Sequence, residues 1–110
     1  MTLTSKLKKI RDAFGAIDIE VYHYFHLRTE LPYIIWEETG EAEAFDADNR
    51  KHEQAIAGDL NYYTKTEFDE NIDLIQETFD NIEGLSYYLN VSEYDDRTNT
   101  IRYQWIWRIV

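Results

Sequence analysis

The chain contains no cysteine, which excludes disulfides and thiolate metal sites. Bases are also short: 11 Lys and Arg stand against 22 Asp and Glu, for a net charge of −11. Phosphate neutralisation needs Lys and Arg, so this balance argues against a protein that wraps nucleic acid and against an anionic membrane surface. Serine is confined to Ser5, Ser86 and Ser92, with no G-x-S-x-G arrangement. His23, His26 and His52 form no H-x-x-x-H or H-E-x-x-H spacing. His23 and His26 fall on opposite faces of one expected strand, where they cannot share a metal. No glycine run cradles a phosphate. No apolar run approaches the length of a membrane span, and residues 1–15 lack the apolar core of a signal peptide, so synthesis and use in the cytoplasm are expected. Among so many carboxylates accidental pairs are inevitable and none is singled out. The expectation is a protein that is not an enzyme and takes no cofactor.

What is present is apolar and aromatic. Of the 110 residues, 44% are hydrophobic and 15% aromatic, enough for one core in a single domain spanning residues 1–110. Leu3, Leu7, Ile10, Phe14 and Ile17 recur at helical spacing, with Thr4 or Ser5 as cap and Gly15 at the helix end. Glu20 to Arg28 alternates as a strand, with Val21, His23, Phe25 and Leu27 on one face. The other face, Tyr-rich, is either half-solvated or covered by another subunit. Leu31-Pro32 makes a turn, and Tyr33 to Glu38 is the next strand, expected to pair with the first as an antiparallel hairpin.

From Thr39 to about Gln54 the periodicity vanishes. A loop this long in a small domain is commonly functional. Asp46-Ala47-Asp48-Asn49 has a calcium-like opening, but Arg50 and Lys51 stand where such a loop needs an oxygen ligand and a glycine. A partner-docking arm is the better reading, with Glu41, Glu43, Phe45, Asp46, Asp48, Asn49, Arg50 and Lys51 as its candidate residues.

Ile56 to Thr64 reads as a third strand, with Leu60, Tyr62 and Thr64 on one face and Gly58 marking a bulge or a close backbone approach. Thr66 or Asp69 caps a second helix. Its core face carries Ile72, Ile75, Phe79 and Ile82, and Gly84 is placed at its C-terminal cap. Glu70, Asp73, Glu77 and Asp80 form an acidic stripe opposite, and Leu74 lies outside the core face, free to touch a neighbour. These five residues are the candidate subunit or channel face. Leu85 to Tyr94, with Leu85, Tyr87, Leu89 and Val91 inward, and Thr100 to Val110, with Ile101, Tyr103, Trp105, Trp107 and Ile109 on one face, close the fold as a hairpin. Asn99 is its left-handed residue. The order α-β-β-β-α-β-β predicts an α+β fold, a mostly antiparallel sheet with two helices packed on one face. Charge is segregated: from Thr29 to Asp48 every charged residue is acidic, whereas the segment up to Arg28 has more bases than acids. An oligomer could set that basic first helix against an acidic segment of the next copy.

The segments LPYIIWEETGE (31–41), ADN (47–49), GDLNYYTKTEFDENIDLIQETF (58–79) and YYLNVSEYDDRTNTIRYQWIWRIV (87–110) together resemble the tail terminator, or tail completion, proteins of Gram-positive siphophages and their prophages. The resemblance implies a virion structural protein that forms a hexameric ring and caps the tail tube. Such a ring stops tube polymerisation and performs head–tail joining. The implied partners are further copies of the chain, the tail tube protein and the head-side connector protein, with DNA passing through unbound and no membrane. The implied location is the host cytoplasm during assembly and then the virion tail. An acidic ring lining would repel DNA and let it slide. Exposed Tyr22, Tyr24 and Tyr63 would suit subunit contacts. The alternative from charge alone is a small acidic DNA mimic, or another protein-binding module, that occupies a basic groove.

Overall fold

Large rings alternate along the last strand, and the side they share becomes the floor of the core. Trp105, Trp107 and Ile109 are fully buried. Each indole removes about 150–250 Å² from water, roughly 4–6 kcal/mol of gross burial free energy. The computed structural model describes residues 2–25, 30–42 and 54–110. Its elements are α1 (Leu3–Gly15), β1 (Glu20–His23), β2 (Tyr33–Glu41), β3 (Ile56–Thr64), α2 (Asn71–Asp80), β4 (Leu85–Asp95) and β5 (Thr100–Ile109). The strands form one sheet in the order β1-β2-β3-β5-β4. The fold is therefore α+β, with the expected element order and a mostly antiparallel sheet.

Both helices pack on one face of that sheet. Ile10 and Phe14 from α1, and Ile75 and Phe79 from α2 with Ile82 beyond its end, meet Ile34, Trp36, Leu60, Tyr62, Trp105, Trp107 and Ile109 in one core. Phe14 and Phe79 touch edge to face at 5.0 Å, which joins the helices. Strand β3 alternates between buried and half-buried along its whole length, as a central strand with one covered face should. At Gly58 a Cβ would overlap both the Glu37 carbonyl oxygen and the Trp107 indole. The close approach expected there is real, and it coincides with a register irregularity between Glu38 and Gly40 on β2.

Several local expectations are corrected. The first helix is capped by Thr2, in a capping box with Ser5, rather than by Thr4 or Ser5; Ser5 is the return partner of the box. The first strand ends at His23, because Tyr24 takes a left-handed conformation (φ 74°) that a strand cannot continue. It then pairs with β2 in parallel, Glu20 opposite Tyr33 and His23 opposite Trp36, so the antiparallel hairpin is not formed. Strand β2 runs on to Glu41, paired with Ile56, into the stretch read as loop. Gly84 does have positive φ (84°), but α2 is closed by Asn81, and Gly84 instead turns the chain into β4. A bulge between Leu89 and Val91 moves Val91 opposite Gln104, off the core face, while Leu89 at 47% exposure lies outside the core. Asn99 has φ 56°, as the hairpin required.

Neither Thr66 nor Asp69 is the N-cap of α2; that position is Glu70, which makes no side-chain capping bond. Asp69 nevertheless fixes the helix start. Its Oδ1 accepts the Asn71 N–H at 2.9 Å, and its Oδ2 accepts the Tyr62 and Thr64 hydroxyls at 2.6 and 2.7 Å. Burial pushes its carboxyl pKa up, but these three donors outweigh burial and hold it below the ordinary value. The same burial and bond push the Tyr62 phenol up to about 12.

Two outcomes follow from this packing. Gly58→Ala should destabilise the fold by about 1–3 kcal/mol, the usual cost of overpacking, read as a lower urea midpoint. Asp69 contributes stability that is present above the unfolded carboxylate value, about pH 4, and is lost as pH falls through its lowered folded value. Asp69→Asn should therefore show a shallower acid limb than the wild type in urea midpoints measured down to about pH 2.

Candidate functional site

The second face of the sheet is covered by no helix among the described residues. Register places Tyr33 and Tyr63 side by side across β2 and β3, followed by Arg102 on β5 and Glu93 on β4, while Tyr22 of β1, opposite Ile35, lies diagonal to Tyr33. The rings are in contact: Tyr22 and Tyr33 at 6.4 Å edge to face, Tyr33 and Tyr63 at 5.0 Å. Burial pushes both the Tyr33 and Tyr63 phenols up, with Arg102 opposing the rise at Tyr63. Arg102 is held in place by Glu93 at 2.8 Å and by the Asn61 Oδ1 that accepts from its Nη1 at 2.8 Å. Tyr33, Tyr63, Glu93 and Arg102 line an open cleft of about 740 Å³ with Glu30, Leu31, Lys65, Asp95, Thr98 and Thr100.

Two steps along the same face, past Ile35 and Asn61, Glu37 on β2 stands directly opposite Asp59 on β3. Like charges so placed oppose pairing. Burial and then Glu37 raise the Asp59 carboxyl above its ordinary value, against Arg102 and a bond from Asn61. This acidic pair and the Arg102 cluster give the open face both signs of charge around an aromatic row. No group of three or more His, Asp or Glu among the described residues is arranged to hold a metal.

Two flanks border this face. At the β1 edge His23 is stacked between Tyr24 and Trp36, each at 3.9 Å, and its Nε2 meets Glu38 Oε1 at 2.7 Å. The Tyr24 hydroxyl also donates to Glu38. Burial raises the Glu38 carboxyl, but the Tyr24 and His23 bonds bring it below its ordinary value. Tyr24 has thus left the Tyr22 face on which alternation placed it. At the opposite edge β4 exposes Tyr88 (59%), Leu89 (47%) and Tyr94 (60%) along a strand with one unpaired side.

Of the residues read as a docking arm, Glu41 belongs to β2, and Glu43, Phe45, Asp46, Asp48, Asn49, Arg50 and Lys51 lie outside the described residues. On α2 the four acids Glu70, Asp73, Glu77 and Asp80 are all exposed. Asp80 accepts the Tyr87 hydroxyl at 2.7 Å, and burial together with this bond pushes that phenol up to about 12. Leu74 lines a shallow groove between the helices with Ala13, Ile17 and Thr78, so its neighbour is α1 of the same chain. Tyr22 and Tyr63 sit on the open face as alternation implied. The opposition of Glu37 to Asp59 was missed, since it depends on strand register, although alternation along β3 already put Asp59 beside Asn61 and Tyr63.

No protein-family description and no curated protein matches the chain. No helix among the described residues is long and apolar enough to cross a membrane.

The Asp59 carboxyl has a folded-state value above its unfolded one, so folding is penalised as pH rises through it. Asp59→Asn should raise the melting temperature at about pH 7, and the gain should vanish below about pH 4, where the wild-type carboxyl is protonated in both states.

Proposed function

We propose that this chain is a structural subunit of a phage tail that works as tail terminators do. It assembles into a ring, caps the tail tube, stops its growth and presents its other side to the head connector. The observation that carries the reading is the state of the sheet: both edges and one face are left uncovered by the described elements. An 11-residue edge strand displaying Tyr88, Leu89 and Tyr94 is a liability in a solitary protein and an asset in one built to assemble. The resemblance of residues from Leu31 onward supplies the tail, the ring and the partners. The exposed acids of α2 supply a surface that DNA would pass without sticking.

A second reading draws on that same α2 stripe. Four exposed carboxylates on a helix pinned to the sheet could imitate the phosphates of DNA and fill the basic groove of a nuclease or repressor.

The two readings part in one genetic experiment. Deleting the coding sequence from a phage or prophage that carries it should give tails of irregular, excessive length, or heads and tails that fail to join, under electron microscopy. Normal virions would sink the tail reading. A strictly monomeric protein that inhibits a DNA-binding enzyme would favour the mimic.

A further inference from the structure

Phe68 occupies the turn between β3 and α2 in a conformation that its side chain disfavours. Its φ is 55°, in the left-handed region where a Cβ crowds the following carbonyl and where turns ordinarily carry Gly or Asn. Packing gives nothing in return. The ring is 88% exposed, more than any other large apolar side chain among the described residues. The backbone around it is fixed from both sides. Before it, the Thr66 N–H donates to Thr64 Oγ1 at 3.1 Å. After it, Asp69 is tied to Tyr62, Thr64 and Asn71, and the Ile72 N–H donates to the Asp69 carbonyl at 3.1 Å. Strained conformations persist where their surroundings over-determine them, and they collect at functional contacts. Here a rigid frame holds a phenyl ring out in water. An aromatic anchor held in this way loses little further freedom on binding.

The charges around the ring point to what it meets. Glu67 precedes it in the chain, and Glu70 and Asp73 open the acidic side of α2. All three are exposed, and none is in an ion pair among the described residues. At about 100° per residue Glu70, Asp73 and Glu77 fall within about 60° of one another, so the stripe runs from Phe68 along the helix. Lys65 is the one base between Thr64 and Asp80. Other acids nearby are matched. Glu93, which lines a hollow with Lys65, Tyr94 and Ile101, pairs with Arg102, and Asp95 at the hairpin end pairs with Arg97. Exposed Asp96 adds to the acidic side of the balance. A second copy would set these carboxylates against their own kind, in a chain of net charge −11. The complement is therefore a different, basic protein surface.

We propose that Phe68 anchors a docking site for a protein that offers an apolar pocket bordered by Lys or Arg. The ring enters the pocket, and Glu67, Glu70 and Asp73 face its basic border. The inference rests on neither reading of the preceding section, since a tail component and a DNA-binding enzyme could each present such a pocket.

The test replaces Phe68 with the photo-crosslinker p-benzoylphenylalanine in cells that carry the gene in its natural setting. The same replacement at exposed Tyr88 on β4 is the control, and mass spectrometry maps the captured residues. The adduct should lie in another protein, on an apolar surface residue with Lys or Arg around it. That protein, once purified, should bind the wild type with an affinity that falls as salt rises. Phe68→Gly should weaken binding by about thirty-fold or more. Its melting temperature should hold or rise, because Gly adopts positive φ freely and the exposed ring adds no packing. Glu67→Lys/Glu70→Lys should weaken binding by about ten-fold or more. If the crosslinking variant does not fold, the replacement moves to exposed Thr66. An adduct no different from the control, an adduct in a second copy, a captured site without basic residues, unchanged binding by Phe68→Gly, or a lower melting temperature for that variant would overturn the anchor. A captured tail component would favour the first reading and a nuclease or repressor the second, and the anchor stands with either. Normal virions after gene deletion would overturn the tail reading and leave the crosslinking result standing.

Discussion

The missing side chain at Gly58 sets the register of the sheet. Gly58 lies opposite Trp107, and the indole occupies the space a Cβ would take while its Nε1 donates to the Asp59 carbonyl at 3.0 Å. A one-residue slip of β5 on β3 would put Ala57 or Asp59 under the ring and turn every alternating side chain to the wrong face. With that pairing settled, Trp105 reaches Gln76 of α2, Leu60 stacks opposite Trp105, and β2 and β4 inherit their positions from the central pair.

That register also divides the molecule into a finished side and an unfinished one. On the helix side, the Asp69 bonds, the Phe14–Phe79 contact and the two indoles leave little room for change. On the other side, an acidic pair faces itself and a tyrosine row stays half in water. Structures retain locally unfavourable arrangements where something outside the folded chain compensates them. The raised Asp59 carboxyl is such an arrangement, and it lies on the face that no helix among the described residues covers.

Much of the fold was legible in the sequence because two periods dominate it. The steps of Ile72, Ile75 and Phe79, the alternation from Ile101 to Ile109 and the turn at Asn99 each follow from one residue pattern. What was not legible depends on distant partners. Nothing local in Glu20 to Arg28 reveals that the strand stops at His23, because Tyr24 is taken out by the stack with His23 and by its bond to Glu38. The bulge at Asn90 defeats strict alternation and misplaces Val91. Of the candidate site, the α2 acids and the open-face tyrosines could be named from spacing. The meeting of Glu37 with Asp59 required the topology.

The bulge on β4 has one more consequence. A strand zipping along that edge from Leu85 keeps phase with the pleat only as far as Leu89, since the irregularity before Val91 puts the next residues half a repeat out of step. Cross-β stacking needs one uninterrupted phase over six or seven residues. The edge is thus long enough to attract a strand yet too short in any single phase to template a fibril.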